Sequence, residues 1–334
     1  MKKMLRALLC LALCGAVFTG CSTGEEPSPS PSPSPEASAP AEETYQIGLV
    51  QYQEHTSLDT LREAFMGRLE EWGCDENQVE IDYQNAGGDK AKAEEICQGF
   101  VEDEVDMIVA ISTPAAQIAI DAAKGSDVTV VYTGVASESA LEVSGGSVTG
   151  VASPASWSAM LDLARQGNSS LATVGLLYNP EEPGSQEEMD QLKTLCSDQG
   201  IEVIESAVAS QEEAAEAATK LCAQVDAVFT PADNTIAPVA DQVATAIKGA
   251  GKPWYVGSDA MVQAGALASI SVTSRDQGVK AADMAVQLIE GGELADVPVY
   301  TFASFRTFVN QTTLAALEGF AFPEETLQGA FLYQ

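Results

Sequence analysis

Runs of four to seven apolar residues alternate along the chain with longer segments whose apolar positions recur every three or four residues. The strand-like runs are "YQIGLVQY" (45–52), "QVEIDYQ" (78–84), "DMIVAIS" (106–112) and "VTVVYTG" (128–134). Helix-like segments lie between them over 57–73, 89–103 and 114–124. Short apolar runs bounded by turn residues predict strands buried on both faces, as in a parallel sheet. After "VSGGSVTGVASPAS", read as a connection, and a helix at about 156–166, the alternation restarts. Strands are then predicted over 171–179, 201–208, 226–232 and 253–259, and helices over 185–199, 211–223 and 235–249.

The two halves read as copies of one unit. "IGLVQYQEHTS" occupies in the first half the place of "VGLLYNPEEPGS" in the second, and "VDMIVAISTPAAQIAIDAA" that of "VDAVFTPADNTIAPVADQVA". The predicted fold class is α/β, with two doubly wound parallel-sheet lobes in tandem. Ligands on such sheets bind beyond the carboxyl ends of the strands, so two facing lobes enclose a cleft. "GALASISVTSRDQGVKAADMAVQLIEGG" supplies a late strand and helix, and the helix is expected to cross back to the first lobe before "VPVYTFASFRTFV" returns. This places an N-terminal lobe at 44–153 plus about 272–298 and a C-terminal lobe at 154–271 plus about 299–334. Several crossings make a hinge, and a hinge with a cleft makes a clamp that closes on its ligand.

The first residues change the compartment. "MKKMLRALLCLALCGAVFTGC" has a basic start, an apolar core too short to span a membrane, and small residues before Cys21, which reads as a signal peptide over 1–20. "FTGC" resembles a lipobox, which would make Cys21 the lipid-bearing N-terminal residue. "STGEEPSPSPSPSPEASAPAEE", within 21–43, buries no core and favours extended polyproline conformations, so it reads as a tether. The formal charge is −33, and becomes −36 once Lys2, Lys3 and Arg6 leave with the signal. That excess argues against nucleic acid as a partner, because phosphates are neutralised by Lys and Arg. Of the seven cysteines, Cys74, Cys97, Cys196 and Cys222 remain on separate predicted helices and read as free, partly buried thiols. Without a Cys-x-x-Cys and with one histidine in the chain, no metal site is expected.

Candidate chemistry sits where strands end. In "ISTPAAQIAI", Ser112 or Thr113 caps a helix with Pro114 in its first turn, and the free N–H groups suit a carboxylate. Asp233 and Asn234 in "FTPADNTIAP", and Ser258 with Asp259 in "YVGSDAMVQAG", stand at the matching ends in the second lobe. Capping its helix is the commoner use of an aspartate at such a position, but facing an anion site in the other lobe each also suits the ammonium of a zwitterion. The strand ends add Tyr52, Glu54, His55, Thr133 and Asn179, and the helix after "TP" adds Gln117. There is no G-x-S-x-G elbow, P-loop or G-x-G-x-x-G, so neither an enzyme nor a cofactor is expected, and no residue is assigned a catalytic role.

"IGLVQYQEHTSLDTLREAFMGRLEEWG", "VEIDYQNAGGDKAKAEEI", "DMIVAISTPAAQIA", "TVGLLYNPEEPGS", "FTPADNTI" and "VGSDAMVQAGALAS" together resemble the tryptophan/tyrosine-type ABC transporter substrate-binding proteins, from about Gln46 to Leu327. The resemblance implies a type I periplasmic-binding-protein fold, a Venus-flytrap clamp with a three-segment hinge, and delivery of ligand to an ABC permease. It also implies that Glu54, His55, Thr113 to Gln117, Asp233 to Thr235, Ser258 and Asp259 border the cleft. The chain departs from the family pattern at "GVASESALEV", "VASPAS" and "SVTSRDQG", where acidic and aromatic residues are usual. The expected ligand is therefore an amino acid or similar small zwitterion in a reshaped side-chain pocket. The expected setting is a monomer tethered by lipid at Cys21 to the outer face of the cell membrane. A sensory lipoprotein for a sugar or nucleoside is the alternative reading.

Overall fold

The structure is a computed structural model that describes residues 44–75, 77–143 and 145–334. The expected signal peptide, the lipid-bearing Cys21 and the Pro/Ser tether lie outside the described residues.

The first half of the chain runs β1 (Tyr45–Gln51), α1 (Thr56–Glu71), β2 (Val79–Asn85), α2 (Lys90–Glu102), β3 (Met107–Ile111), α3 (Thr113–Ala122), β4 (Thr129–Val135) and β5 (Ser147–Ala152). The second continues through α4 (Trp157–Gly167), β6 (Thr173–Tyr178), α5 (Pro183–Asp198), β7 (Glu202–Ala207), α6 (Gln211–Cys222), β8 (Ala227–Thr230), α7 (Ala240–Gly249), β9 (Trp254–Val256), α8 (Asp259–Gln263) and β10 (Ala268–Ser271). The last part is α9 (Ser274–Ile289), β11 (Tyr300–Thr301), β12 (Arg306–Asn310), α10 (Gln311–Ala316), α11 (Glu324–Gln328) and β13 (Phe331–Tyr333).

One sheet has the order β11-β5-β4-β3-β1-β2, with every neighbouring pair parallel. The other has the order β13-β12-β10-β9-β8-β6-β7, parallel except where β10 meets β12. Strand β3 shows why such short apolar runs fold this way. All five of its residues are buried, and the period of two sends them to opposite faces. Met107, Val109 and Ile111 join Phe65 of α1 and Ala285 of α9, whereas Ile108 and Ala110 join Phe100 of α2 and Ala119 of α3. The second sheet is divided likewise, Val174, Leu176 and Phe229 on one face and Leu177, Val228 and Trp254 on the other. Two sheets, each cored on both faces, form the doubly wound α/β architecture expected from the alternation.

Local departures have physical causes. Residues 147–152, expected as connection, form β5, an apolar run diluted by Thr149 and Gly150. Gly150 is required by close approach, since a Cβ there would lie 2.4 Å from the Tyr132 carbonyl oxygen. The helix expected from 235 starts at Ala240, after a 3₁₀ turn at Ala237–Val239 that contains Pro238. The return to the second sheet, expected near 299, comes later. Tyr300 and Thr301 still pair with Val151 and Ala152 of the first sheet, and Phe302 N–H donates to Ala152 O at 3.0 Å.

The chain therefore passes between the sheets at 153–156, at 272–273 and at 303–305. After the second pass, α9 lies on α1 and against β4 and β5. Gly278 makes that packing close, because a Cβ there would stand 2.2 Å from Leu61 O. No helix among the described residues is long and apolar enough to cross a membrane.

Candidate functional site

The loops after β1, β3 and β4 meet those after β6, β8 and β9 around a cavity. Doubly wound sheets place their helix N-termini at this end of the strands. Accordingly the lining includes first-turn residues of four helices, Ser57 of α1, Thr113 of α3, Gly184 and Ser185 of α5 and Ser274 of α9, and the N-cap residue Ser258 of a fifth, α8. Among the described residues, no Lys or Arg lines the cavity. Leu58, Leu61, Met261 and Val272 supply its apolar wall, and the His55 imidazole adds a ring.

The expected site residues separate into three groups. His55, Thr113, Asn234 and Ser258 line the cavity. Tyr52, Gln117 and Asn179 line an outer groove at the cleft mouth, to which Asn234 also contributes. Glu54 is exposed, and Ser112, Thr133, Asp233 and Asp259 are buried behind the cavity wall.

Those buried groups set the geometry of the lining. Ser112 has φ +100° and ψ 159°, a backbone region that side-chain-bearing residues occupy only when their surroundings enforce it. Its N–H donates to Thr133 O at 3.0 Å and its hydroxyl accepts from Ala115 N–H at 3.4 Å, which aims the start of α3 into the cleft. The Thr133 hydroxyl is buried with no hydrogen-bond partner among the described residues. Asp233, expected to meet a ligand ammonium, is spent within its own lobe. One oxygen accepts from Asn179 N–H at 2.8 Å, and the other from Thr235 and Ile236 N–H, each at 3.0 Å. Burial pushes its pKa up to about 7, helped by the nearby charge of Glu182. Asp259 accepts from the Ser274 N–H at 3.4 Å and hydroxyl at 3.5 Å, and burial raises its pKa. The capping use of aspartate has won at both positions.

Two glutamates that single-residue reasoning passed over stand in the lining instead. Both lie on "NPEEPGSQEE" (179–188), the second-lobe counterpart of the turn that carries His55, and that repeat was the available signal. Glu182 precedes α5. Its Oε2 accepts from Asn234 N–H (3.1 Å) and Nδ2 (2.7 Å), and its Oε1 from Thr235 N–H (3.1 Å) and hydroxyl (2.9 Å). Burial raises its pKa against those donors. Glu188, one helical turn or more deeper on α5, is 4% exposed, and burial pushes its pKa up to about 7.

Contacts run across the cavity from lobe to lobe. Ser57 Oγ and Ser258 Oγ are 2.9 Å apart, His55 Nε2 lies 3.3 Å from Asn234 Oδ1, and Gln53 Nε2 donates to Asn234 O. The lobes are thus drawn together. His55 sits at the N-cap position of α1 without capping it, and burial lowers its pKa against the opposing pull of Asn234 and Asp59.

Known proteins share this arrangement. The family described as "ABC transporter substrate binding protein" matches residues 46–332. A "Tyrosine-binding protein" of Clostridioides difficile is 30% identical over 327 residues, 95% of this chain and 92% of that protein. A solved ABC domain in complex with L-Trp from Streptococcus pneumonia is 31% identical with a TM-score of 0.82, covering 87% of this chain and 100% of that one. A ligand-free, open substrate-binding protein with adhesive properties from Clostridium difficile is 29% identical, covers 87% of this chain and 99% of that one, and has a TM-score of 0.64. At nearly equal identity, the lobe arrangement here is nearer to the liganded structure than to the open one. The chain belongs to the ABC transporter substrate-binding proteins, which bind a solute and carry out no reaction on it.

Proposed function

We propose that this protein captures an amino acid as a zwitterion in the interlobe cavity and presents it to an ABC permease for import. The observation that carries this reading is the convergence of five helix starts on a cavity whose lining, among the described residues, has no Lys or Arg. Helix N-termini with free N–H groups hold a carboxylate without Lys or Arg. Glu182 and Glu188 add acidic groups to the same wall, which suits the positive end of a zwitterion, and Leu58, Leu61, Met261 and Val272 receive an apolar side chain. The likeness to an L-Trp complex and to a tyrosine-binding protein supports the same class of ligand.

Capture works by hinge closure about 153–156, 272–273 and 303–305, and ligand contacts from both lobes stabilise the closed form. The lipobox-like "FTGC" and the Pro/Ser segment after it support a monomer held outside the cytoplasm by lipid on Cys21. A thermal-shift screen of the purified protein against the twenty common amino acids, with sugars and nucleosides in parallel, tests the ligand class. Stabilisation by one or a few amino acids is expected, and stabilisation by sugars or nucleosides alone overturns it. Replacing Cys21 by Ala in cells should move the protein from the membrane to the soluble fraction, and unchanged membrane retention removes the anchor.

A further inference from the structure

The hydrogen-bond order around Asn234 determines what His55 offers to the cavity. Thr235 Oγ1 accepts from Asn179 Nδ2 at 2.9 Å, so its own proton goes to Glu182 Oε1. Each Glu182 oxygen then has two donors, Asn234 N–H and Nδ2 on one and the Thr235 N–H and hydroxyl on the other. Four donors occupy the four lone-pair directions of an ionised carboxylate. With Nδ2 turned to Glu182, the Asn234 amide shows its oxygen to His55. Reversing the amide would set that oxygen against a carboxylate oxygen at 2.7 Å. An amide oxygen only accepts, so His55 Nε2, 3.3 Å away, carries the proton. In the neutral ring, Nδ1 is then a bare lone pair. Nδ1 is buried and has no hydrogen-bond partner among the described residues, and the His55 ring lines the cavity.

We propose that His55 Nδ1 accepts a hydrogen bond from the ammonium group of the bound ligand, and that Glu182 is the positioning residue that sets this tautomer through Asn234. The inference rests on the amino-acid reading above. It assigns the ammonium a partner in the first lobe: Asp233 is buried behind the wall and accepts three backbone N–H bonds, and the four lone-pair directions of Glu182 are taken. The contact also couples recognition to closure. Asn234 reaches His55 only when the lobes meet, so the acceptor is presented in the closed form.

His55 is the single histidine of the chain, so one ¹⁵N-histidine label reads its ring without assignment. The full mature protein is saturated with L-tryptophan, or with whichever amino acid gives the largest thermal shift, and long-range ¹H–¹⁵N spectra are recorded. The expected result is a neutral ring with the proton on Nε2, and an Nδ1 resonance displaced toward the protonated end. The des-amino analogue (3-indolepropionate for tryptophan) should leave Nδ1 at the position of a free lone pair. In Glu182→Gln the amide of Asn234 loses its anchor, and both tautomers should appear in the bound state. His55→Phe keeps a ring in the cavity wall but removes the acceptor; affinity for the amino acid should fall roughly 10- to 100-fold, and affinity for the des-amino analogue should change less. A ring protonated on Nδ1, or an Nδ1 shift indifferent to the ligand amine, overturns the inference while the amino-acid reading stands. If no amino acid stabilises the protein, the amino-acid reading falls first and takes the ammonium contact with it.

Discussion

The Glu188 carboxylate on α5 accepts the Trp157 indole N–H at 3.1 Å and, from the same oxygen, the Ala155 backbone N–H at 3.3 Å. Ala155 belongs to the first segment that passes between the sheets, and Glu188 lines the cavity, so one buried carboxyl links that segment to the cavity wall.

Stability should fall as pH rises through this carboxyl. Burial pushes the Glu188 pKa from an ordinary 4.5 up to about 7, so the fold binds the proton more tightly than the unfolded chain does. The contribution is full below about 4.5, declines between 4.5 and 7, and is gone above 7. Asp233, also pushed up to about 7, adds to the same slope. Urea unfolding from pH 4.5 to 8 should lose up to about 3 kcal/mol per group, and Glu188→Gln should flatten the slope by one proton's share.

Asp233→Ala should destabilise the protein by about 2–4 kcal/mol, because three backbone N–H groups lose their acceptor in a buried turn. Thr113→Ala, at the cavity wall, should instead weaken ligand binding by roughly 3- to 10-fold with a stability change below about 1 kcal/mol. Urea midpoints and calorimetric titration of both variants separate the two roles.

Ser57 and Ser258 hold the lobes together by one hydroxyl pair. Either alanine substitution should reduce ligand affinity by a few-fold, and the double variant should lose little more than one single does, because the pair shares one hydrogen bond. Additive losses in a double-mutant cycle would remove the contact from the closing interaction.

Gly278→Ala should separate α9 from α1. The added Cβ meets Leu61 O at 2.2 Å, a backbone atom that yields only by moving the helix. Overpacking of this kind costs about 1–3 kcal/mol, and Leu61 lines the cavity, so ligand affinity should fall together with the thermal midpoint.

The described thiols are all free. Burial pushes Cys97 up to about 12 and Cys196 to about 11, and raises Cys222, whereas Cys74 is only half-buried. A disulfide reagent applied to the native protein lacking residues 1–43 should titrate Cys74 alone, with the other three reacting after denaturant is added.

Much of this molecule was legible along the chain, because each lobe repeats a strand and helix whose burial follows from local sequence. The period of two in "MIVAI", apolar at every position, already states that β3 is covered on both faces, and Met107–Ile111 are so covered. The strand β5 was not legible, since Thr149 and Gly150 interrupt its apolar run for a reason located on β4. The ends of the strands, together with the family resemblance, pointed to the cleft, and of the residues so named Thr113, His55, Asn234 and Ser258 line the cavity. Which carboxyl faces the ligand was another matter. Asp233 and Glu182 are both acids at strand ends, and the three N–H groups around Asp233 and the Asn234–Thr235 turn around Glu182 are supplied by folding. A chain determines by itself where apolar surface must be buried, because that depends on residue type and spacing. Only the tertiary structure decides which buried polar group is already satisfied, because its partners come from distant segments, 181 residues away between Gln53 and Asn234 and 201 between Ser57 and Ser258.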